Sequence, residues 1–556
     1  MARLLPPPTW PSPPAGRSPQ QGRGGGEKRT GTALSDLILL NARTHQHGRV
    51  DVALRGSSLL DVAPAGTLAQ GTAQTLDLKD AWLTPGLWDS HIHLFHWAQM
   101  RHQLALSGCT SREQVIEAVA AGASGGGPGW LLGQGWNSAG WADPRPPSRW
   151  ELDAVTGDRP TLLWCSDLHS ALANSAALAA SGLLEGERQV EGGVIERDES
   201  GQPTGWLREM AANLARDAMP PPDDELLSSQ LLQAQSELHR LGITGLCDQR
   251  IKDQNDGPLL FRLLRALEAR GQWRLRTNLN VAAHHLAEVR TLGLSTGFGS
   301  DWLRLGHMKL FADGTLGSLT ARMLQPFLGG GPGADGRGLY LTSPGEMEET
   351  FGEAARAGFS ISVHAIGDEA VRVCLDLFEG LERQGLPRPR IPHRLEHAQI
   401  LDDADVDRFA ALGVVASVQG GHLLDDRVSA DLSLGPRARL CYRFGDLARA
   451  GATLIFGTDA PVSEVDPRYG IRASLQRCLE GGEPWYPEQR LEKALVLRGY
   501  TEEAVRAAGW DDLLGERSWT VGARADLVVW SEDPLESPRA EALRTFVDGR
   551  QVHGAP

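Results

Sequence analysis

The sequence predicts an α/β protein built on a (β/α)8 TIM-like barrel. A small β-sandwich domain from both termini and an α+β insertion after barrel strand 1 complete the predicted fold. Three observations lead to this prediction. Short apolar strands alternate with helical patterns through the middle of the chain, both ends are rich in strands, and a long segment separates the first two barrel strands.

Strand patterns occur at both ends of the chain. Because chain termini often lie close together, we predict one β-sandwich domain from residues 34–83 and 519–556. The segments with apolar or alternating patterns are Asp36–Ala42, Arg49–Arg55, Gly522–Trp530 and Arg544–Val552.

Eight strand candidates in the middle predict a barrel over residues 84–110 and 216–518. Helical patterns such as Gly345–Ala357 and Asp402–Leu412 separate them, and eight such units favour a closed barrel over an open sheet. The candidates are Trp82–Trp88, Ile243–Asp248, Leu275–Val281, Leu303–Phe311, Ser360–His364, Ile391–Glu396, Val414–Gln419 and Thr453–Gly457.

Two further segments complete the predicted organisation. Residues 111–215 combine strand patterns with Gly-rich turns and are interpreted as an inserted domain over the barrel mouth. Within it, Trp136 and His169 are equally compatible with a lid and with a structural role. Residues 1–33 are rich in Pro, Gly and Arg without an apolar core segment, which predicts a disordered tail and not a secretory signal.

Net charge, apolar runs and cysteine spacing indicate which binding partners to expect. A formal net charge of -15 over 556 residues argues against nucleic acid. We also expect no membrane partner, because no apolar run reaches about 18 residues. The six cysteines are far apart and form no CxxC pair, as expected of reduced thiols in a cytoplasmic protein. The expected partner is a small-molecule substrate, and a homodimer is left open.

The pair His91 and His93 is the first candidate for metal binding. Residues at i and i+2 of a strand point to the same side, and active sites of barrels form at the carboxyl ends of the strands. The preceding Asp89 is a candidate to orient one imidazole. Taken alone, the pair is equally compatible with packing.

Three later strand candidates end in residues of the same chemistry. His364, His397 and Asp459 follow the fifth, sixth and eighth candidates. Titratable groups are costly to bury without partners, and His and Asp are common ligands of zinc and other divalent metals. Lys309 lies among apolar neighbours in the fourth candidate; it is either a snorkelling lysine or one made reactive by burial near cations.

These motifs resemble the amidohydrolase superfamily, in particular the YtcJ-like branch that includes N-substituted formamide deformylases. The resemblance extends from about Leu37 to Gly554. The motifs that carry it are Pro85–His93, Gly135–Asn137, Asp167–Leu178, Gly205–Glu209, Lys309–Ser318, Val363–Asp368, Glu396–Gln399, Gly457–Pro461 and Gly522–Val529.

The resemblance implies one or two divalent metals, with zinc expected, and a ligand set. In many members a lysine of the fourth strand is carboxylated by CO₂ and bridges two metals, and Lys309 is the matching residue. The implied ligands are His91, His93 and Asp459 for one metal, His364 and His397 for the other, and Lys309 for both. An unmodified Lys309 favours a single metal.

Two motifs depart from the family pattern. Relatives usually carry Gln-Pro-x-His at the seventh strand, where this chain has Gln419-Gly420-Gly421-His422, and the glycine pair is predicted to loosen the loop. The family's Gly-Trp-Asp is replaced by Gly135-Trp136-Asn137, which removes one charge from the insert.

The predicted reaction is hydrolysis of a C–N bond of an amide, formamide or cyclic amide by a metal-bound hydroxide. Asp459 is the predicted general base and then acid, and His397 and His422 are candidates for further catalytic or substrate contacts. Two alternatives stay open: an ester, lactone or phosphoester substrate at the same metal centre, and a non-catalytic metal-binding regulator.

Overall fold

A computed structural model describes most of the chain after its N-terminal segment. The predicted tail, residues 1–33, and His169 lie outside the described residues. The described range is 36–555 without 69–70, 126–128, 139–140, 144, 166–169, 186–189, 191–192, 221–222, 250–255, 387 and 479–480.

Five strands open the described chain and belong to one sheet. In it, β1 pairs antiparallel with β2 and parallel with β4. The strands are β1 (Leu37–Thr44), β2 (Gly48–Arg55), β3 (Ser58–Pro64), β4 (Gln74–Asp77) and β5 (Trp82–Pro85).

The first barrel strand is β6 (Leu87–Ile92), followed by helix α1 (Leu94–Met100). The predicted strand Trp82–Trp88 is therefore wrong, because the chain changes sheets at Gly86. Gly86 N–H still donates to Asp526 O in the terminal region at 2.8 Å, whereas Leu87 N–H donates to Gly242 O at 3.0 Å. The residues on both sides of Gly86 are mostly apolar, so the sequence pattern does not reveal where one strand ends and the next begins.

A six-stranded sheet with four helices follows and forms the insert. Its strand order is β11-β12-β10-β9-β8-β7. The elements are β7 (Leu104–Ala105), α2 (Arg112–Ser124), β8 (Leu131–Trp136), α3 (Arg149–Thr156), β9 (Thr161–Cys165), β10 (Ser170–Ala173), α4 (Ser175–Ala180), β11 (Gly193–Arg197), β12 (Pro203–Glu209) and α5 (Met210–Asp217).

Seven parallel strands and their helices then complete the barrel. The strands are β13 (Ile243–Asp248), β14 (Arg276–Ala282), β15 (Leu303–Phe311), β16 (Ile361–Ala365), β17 (Arg394–His397), β18 (Val415–Val418) and β19 (Leu454–Phe456). The helices are α6 (Asp224–Arg240), α7 (Asp256–Ala269), α8 (Leu286–Thr291), α9 (Pro344–Arg356), α10 (Asp368–Arg383), α11 (Val406–Leu412), α12 (His422–Leu434), α13 (Phe444–Arg449) and α14 (Pro467–Gln476).

The (β/α)8 barrel prediction is confirmed. The strands follow one another from β6 through β13 to β19 in a single parallel sheet of eight. Two predicted strands, Ile243–Asp248 and Leu303–Phe311, have the observed bounds, and the other five differ by one to three residues at their ends. Helix α9 begins where the sequence allows it, with Pro344 in its first turn and a capping box between Ser343 and Glu346.

The end of the chain returns to the first sheet. It contains α15 (Lys493–Tyr500), α16 (Glu502–Ala507), α17 (Asp511–Leu514), β20 (Leu527–Trp530), β21 (Ala542–Val547) and β22 (Arg550–His553). Strand β20 pairs antiparallel with β5, so both ends of the chain share one sheet. The sequence predicted a sandwich here; hydrogen bonds join all eight strands into one sheet that branches at β1. Within the described residues, no helix is long and apolar enough to cross a membrane.

A buried arginine connects this sheet to the barrel. Arg276, at the start of β14, is fully buried and pairs with Asp526 at 2.6 Å and with Asp548 at 2.7 Å. Both aspartates belong to the terminal sheet region. The guanidinium therefore neutralises two carboxylates at the interface of the two parts.

We expect Arg276→Met to lower the free energy of unfolding by about 3–5 kcal/mol, because the variant leaves buried carboxylates without a counter-charge. Denaturant unfolding followed by circular dichroism measures this. The control is Arg240→Met, which removes an exposed pair with Glu237 and should change stability by less than about 1 kcal/mol. Equal stabilities of the two variants would contradict the role of Arg276.

Candidate metal centre

A cavity of about 450 Å³ opens at the carboxyl ends of the barrel strands. Every residue of the predicted site lines it. These residues are His91, His93, Lys309, His364, His397, His422 and Asp459.

The barrel brings these residues together from distant parts of the chain. His91 lies on β6, Lys309 on β15 and His364 on β16. His397 ends β17, and His422 is the first residue of α12. The carboxyl ends of parallel strands meet at one rim of the barrel, which is why residues so far apart in sequence share one cavity.

No described residue of the insert lines this cavity. Trp136 is buried in the core of the insert, where its ring packs against Trp141 and Trp206 and its Nε1 donates to Leu163 O at 3.4 Å. Of the two roles left open for Trp136, the structure shows the packing role.

Three electron-pair donors converge at the first strand. His91 Nδ1 donates to Glu396 at 2.6 Å, which leaves Nε2 facing Asp459 Oδ1 at 3.4 Å. His93 Nδ1 donates to Gln249 O at 3.0 Å, and its Nε2 lies 3.0 Å from the same Asp459 oxygen. Each of these three atoms offers a lone pair, so the space between them favours a cation.

Electrostatics at this point agree with the geometry. Burial by itself would lower the pKa of His91, but the Asp459 and Glu396 carboxylates raise it. Burial would raise the pKa of Asp459, but His91 and His93 hold it well below its usual range. Asp459 is therefore an anion at neutral pH, and positive charge is stabilised beside it.

His364 and His397 extend the cluster. His364 Nε2 donates to Gly314 O at 3.0 Å, so its Nδ1 carries the lone pair, and its ring centre lies 4.5 Å from that of His397. Burial lowers the pKa of both, to about 3 for His364, so both are neutral and able to bind a metal. The ligand atoms of His91, His397 and Asp459 lie within 4.8 Å of one another.

The backbone is unusual at two of these residues. His397 and Asp459 have φ of 71° and 60°, in the left-handed region that residues other than glycine seldom adopt. Such conformations cluster at functional sites, where the surrounding structure holds them.

Lys309 lines the same cavity. Its side chain is buried, and its Nζ has no hydrogen-bond partner among the described residues. Burial lowers its pKa to about 8, although the Glu396 and Asp459 carboxylates act in the opposite direction. A larger fraction of this lysine is therefore a neutral amine than is usual.

The residue set fits a divalent metal. Several buried polar atoms of the lining side chains have no hydrogen-bond partner among the described residues, and each such atom costs about 1–3 kcal/mol. Imidazole nitrogens and carboxylate oxygens are preferred ligands of zinc and related ions. The unpartnered atoms are Lys309 Nζ, His397 Nδ1, His422 Nε2 and Asp459 Oδ1.

Glu396 has no role in the sequence-based prediction, yet it organises the site. Its carboxylate accepts from His91 Nδ1 and, at 2.7 Å, from Ser362 Oγ, and it pairs with the buried Arg394 at 2.9 Å. Burial would raise its pKa, but Arg394 and His91 keep it well below the usual value. Its position directly before His397 in a matched motif was the available signal.

Asp89 has a different role from the predicted one. It accepts from His91 N at 3.1 Å, Thr458 N at 3.0 Å and Thr458 Oγ1 at 2.6 Å, and it bonds no imidazole. It therefore ties the first strand to the segment after the eighth. Asp313 orders the loop after β15 by accepting from the backbone of Arg322 and Ile366.

The glycine pair before His422 does not produce an open loop. A Cβ on Gly420 would lie 2.4 Å from Gly470 O, and one on Gly421 would lie 2.9 Å from the Tyr469 ring. Both neighbours belong to α14. The prediction of a loosened loop is wrong because the glycines allow close packing on this helix.

The barrel with His, Asp and Lys side chains at the carboxyl ends of its strands defines a metal-dependent hydrolase. The chain belongs to the amidohydrolase family, whose model matches residues 74–553.

Known proteins place the chain within that family. It is 30% identical over 520 residues to the protein LONG AFTER FAR-RED 3 of Arabidopsis thaliana, covering 90% of this chain and 88% of the relative. Identity to YtcJ of Bacillus subtilis (strain 168) is also 30%, over 494 residues, covering 86% and 90%. The N-substituted formamide deformylase of Arthrobacter pascens is 26% identical over 546 residues, covering 93% and 98%. These relatives confirm the predicted YtcJ-like branch.

A solved structure confirms the fold. The crystal structure of an uncharacterised metal-dependent hydrolase from Pyrococcus horikoshii OT3 matches with a TM-score of 0.74 and 25% identity, covering 90% of this chain and 98% of that chain.

We expect Glu396→Gln to weaken metal affinity about 10- to 100-fold, because the amide no longer fixes the tautomer of His91. Competition with a chromophoric chelator measures the affinity. The control is Glu379→Gln, an exposed residue near Arg408. Wild-type affinity in Glu396→Gln would exclude this role.

Proposed function

We propose that this protein hydrolyses the C–N bond of an amide, formamide or cyclic amide with a divalent metal at the cluster described above. The proposal rests on the convergence of His91 Nε2, His93 Nε2 and Asp459 Oδ1 at the mouth of the barrel, where both nitrogens lie within 3.4 Å of the oxygen. The similarity to an N-substituted formamide deformylase supports the bond class.

The metal would be held by the five residues His91, His93, His364, His397 and Asp459, together with Lys309 where that lysine is carboxylated. A bound divalent ion lowers the pKa of water from about 15.7 toward about 7 and polarises a carbonyl oxygen.

Asp459 is suited to move the proton. Its Oδ1 faces His91 and His93, whereas its Oδ2 lies 3.6 Å from His422 Nε2. Oδ2 can therefore take a proton from the attacking water and return it to the leaving nitrogen as the C–N bond breaks. The products are a carboxylic acid and an amine, which stay in one molecule when the substrate is a cyclic amide. His422 would contact the substrate beside this oxygen.

The cavity can hold a small organic molecule. Its volume of about 450 Å³ is within the range of ligand pockets, which are mostly apolar with a few polar groups. Phe311, Leu316 and Ile366 form an apolar wall next to the ligand cluster. A substrate with a hydrocarbon group beside its amide matches this lining.

Zinc and a carboxylated Lys309 are part of the proposal. The Lys309 amine is buried in the cavity without a hydrogen-bond partner among the described residues, so addition of CO₂ with release of one proton would convert it into a carbamate ligand. Such a ligand could bridge two ions. A cytoplasmic location is proposed from the six cysteines, which are far apart in the sequence and form no CxxC pair.

The substrate class is tested with N-formyl, N-acyl and cyclic amides, each beside its ester or lactone analogue. We expect turnover of at least one amide and a loss of about 10²-fold or more in Asp459→Asn, because the proton carrier is removed. Asp431→Asn, on α12 outside the cavity, is the control. Hydrolysis of esters alone would overturn the bond class, and full activity of Asp459→Asn would overturn the assigned base.

Metal stoichiometry tests the bridging lysine. We expect about two zinc equivalents in the wild type and about one in Lys309→Ala, because the bridging ligand is lost. Mass spectrometry of metal content after dialysis measures both, and the exposed Lys493→Ala is the control. One equivalent in both Lys309→Ala and wild type would indicate an unmodified lysine and a single-metal site.

A further inference from the structure

Two acidic side chains line the same cavity one helical turn beyond His422. Asp425 and Asp426 follow His422 at i+3 and i+4 on α12, so the three residues share one face of the helix. All three line the cavity. His422 is buried and lies 3.6 Å from Asp459, whereas Asp426 is half-buried and Asp425 is exposed, so the acids are more accessible than the histidine.

The hydrogen-bond partners of these carboxylates are neutral. Asp425 accepts from Tyr469 OH and from Ser463 Oγ, each at 2.9 Å. Asp426 accepts from Gln399 Nε2 at 3.0 Å and from Tyr442 OH at 2.5 Å. Neither carboxylate forms an ion pair with a Lys or Arg among the described residues. No described Lys or Arg therefore neutralises these two carboxylates at ion-pair distance.

Away from the ligand cluster, the described lining residues include no Lys or Arg that could pair with an anionic substrate group. Lys309 is the one Lys or Arg among the described lining residues, and it lies with the ligand cluster. The lining also contains the apolar wall that includes Leu316 and Ile366. His422 Nε2 is buried and has no hydrogen-bond partner among the described residues, which is an independent sign that this cavity takes a ligand.

We propose that Asp425 and Asp426 select the substrate by charge: they favour a molecule with an ammonium or amidinium group separated from its amide by a hydrocarbon spacer, and they disfavour one with a carboxylate there. The reacting amide would lie at the ligand cluster, the spacer along the apolar wall and the cation at the two acids. The choice of an amide rests on the proposed function; the charge preference rests on the cavity alone.

A purely structural role for the two acids makes a different prediction. If they only anchor Tyr469 and Tyr442, their replacement changes turnover of all substrates by the same factor. If they select charge, it changes the ratio between substrates. The ratio of kcat/KM values for matched compounds therefore separates the two roles.

The experiment uses the metal-loaded protein and three formamides of one shape: N-benzylformamide, N-[4-(aminomethyl)benzyl]formamide and 4-(formamidomethyl)benzoate. The variants are Asp425→Asn, Asp426→Asn and the double variant. Asp431→Asn is the matched control, because it removes the same charge from α12 at a residue that contacts Trp485 and does not line the cavity.

In the wild type we expect kcat/KM to be highest for the cationic compound, lower for the neutral one and lowest for the anion. Each step should be about fivefold per carboxylate, the effect of one unit charge at 4 Å in water. The preference should fall in the cavity variants, persist in Asp431→Asn and weaken at about 1 M salt, where the screening length is about 3 Å. Equal kcat/KM for the three compounds would overturn the proposal, as would a preference that the cavity variants retain.

The charge preference can still be tested if no formamide is hydrolysed, a result that would contradict the proposed bond class. In that case, the same three compounds serve as ligands in titration calorimetry of the metal-loaded protein. The same order of affinities, lost in the double variant, would support the charge preference without the reaction. Equal affinities or no binding of any compound would overturn it.

Discussion

The closure of the barrel between its first and eighth strands is the constraint on which the site depends. β6 and β19 form no continuous ladder; instead, Asp459 N–H donates to His91 O at 2.6 Å and His93 N–H donates to Ala460 O at 2.9 Å. The same bonds that close the barrel place the ligand-bearing residues of both strands side by side. Gly457 makes this approach possible, since a Cβ there would lie 2.4 Å from His91 N.

A series of buried charged groups orients the ligand atoms of the site toward the cavity. Arg394 forms an ion pair with Glu396, and Glu396 accepts a hydrogen bond from His91 Nδ1. The other ring nitrogen of His91, Nε2, therefore faces Asp459. Charged groups are stable in the interior only when they are paired and hydrogen-bonded. The chain of contacts therefore both stabilises the barrel interior and leaves a set of lone pairs facing the cavity.

The two other parts of the protein relate differently to the site. The terminal sheet meets the barrel through the buried Arg276, at the end of the strands opposite to the ligand cluster. The insert packs around its own core, including Trp136 and Leu163, and its described residues leave the cavity lining to the barrel. The chemistry of the cavity is thus decided by barrel loops and by α12.

The sequence by itself determined the fold class and the composition of the site. Apolar strands at regular intervals predict the barrel, and His and Asp residues at successive strand ends predict a metal cluster, because both patterns are local in the chain. The exchange of sheets at Gly86 could not be predicted, since an apolar pattern does not report which strand is the hydrogen-bond partner. The roles of Glu396 and Asp89 likewise depend on residues hundreds of positions away. Only the tertiary structure decided which of the ring nitrogens face the cavity, that Gly420 and Gly421 pack against α14, and that Asp425 and Asp426 share the cavity with the ligand cluster. The reason is that each of these is a contact between distant segments, and such contacts are set by barrel closure and helix packing.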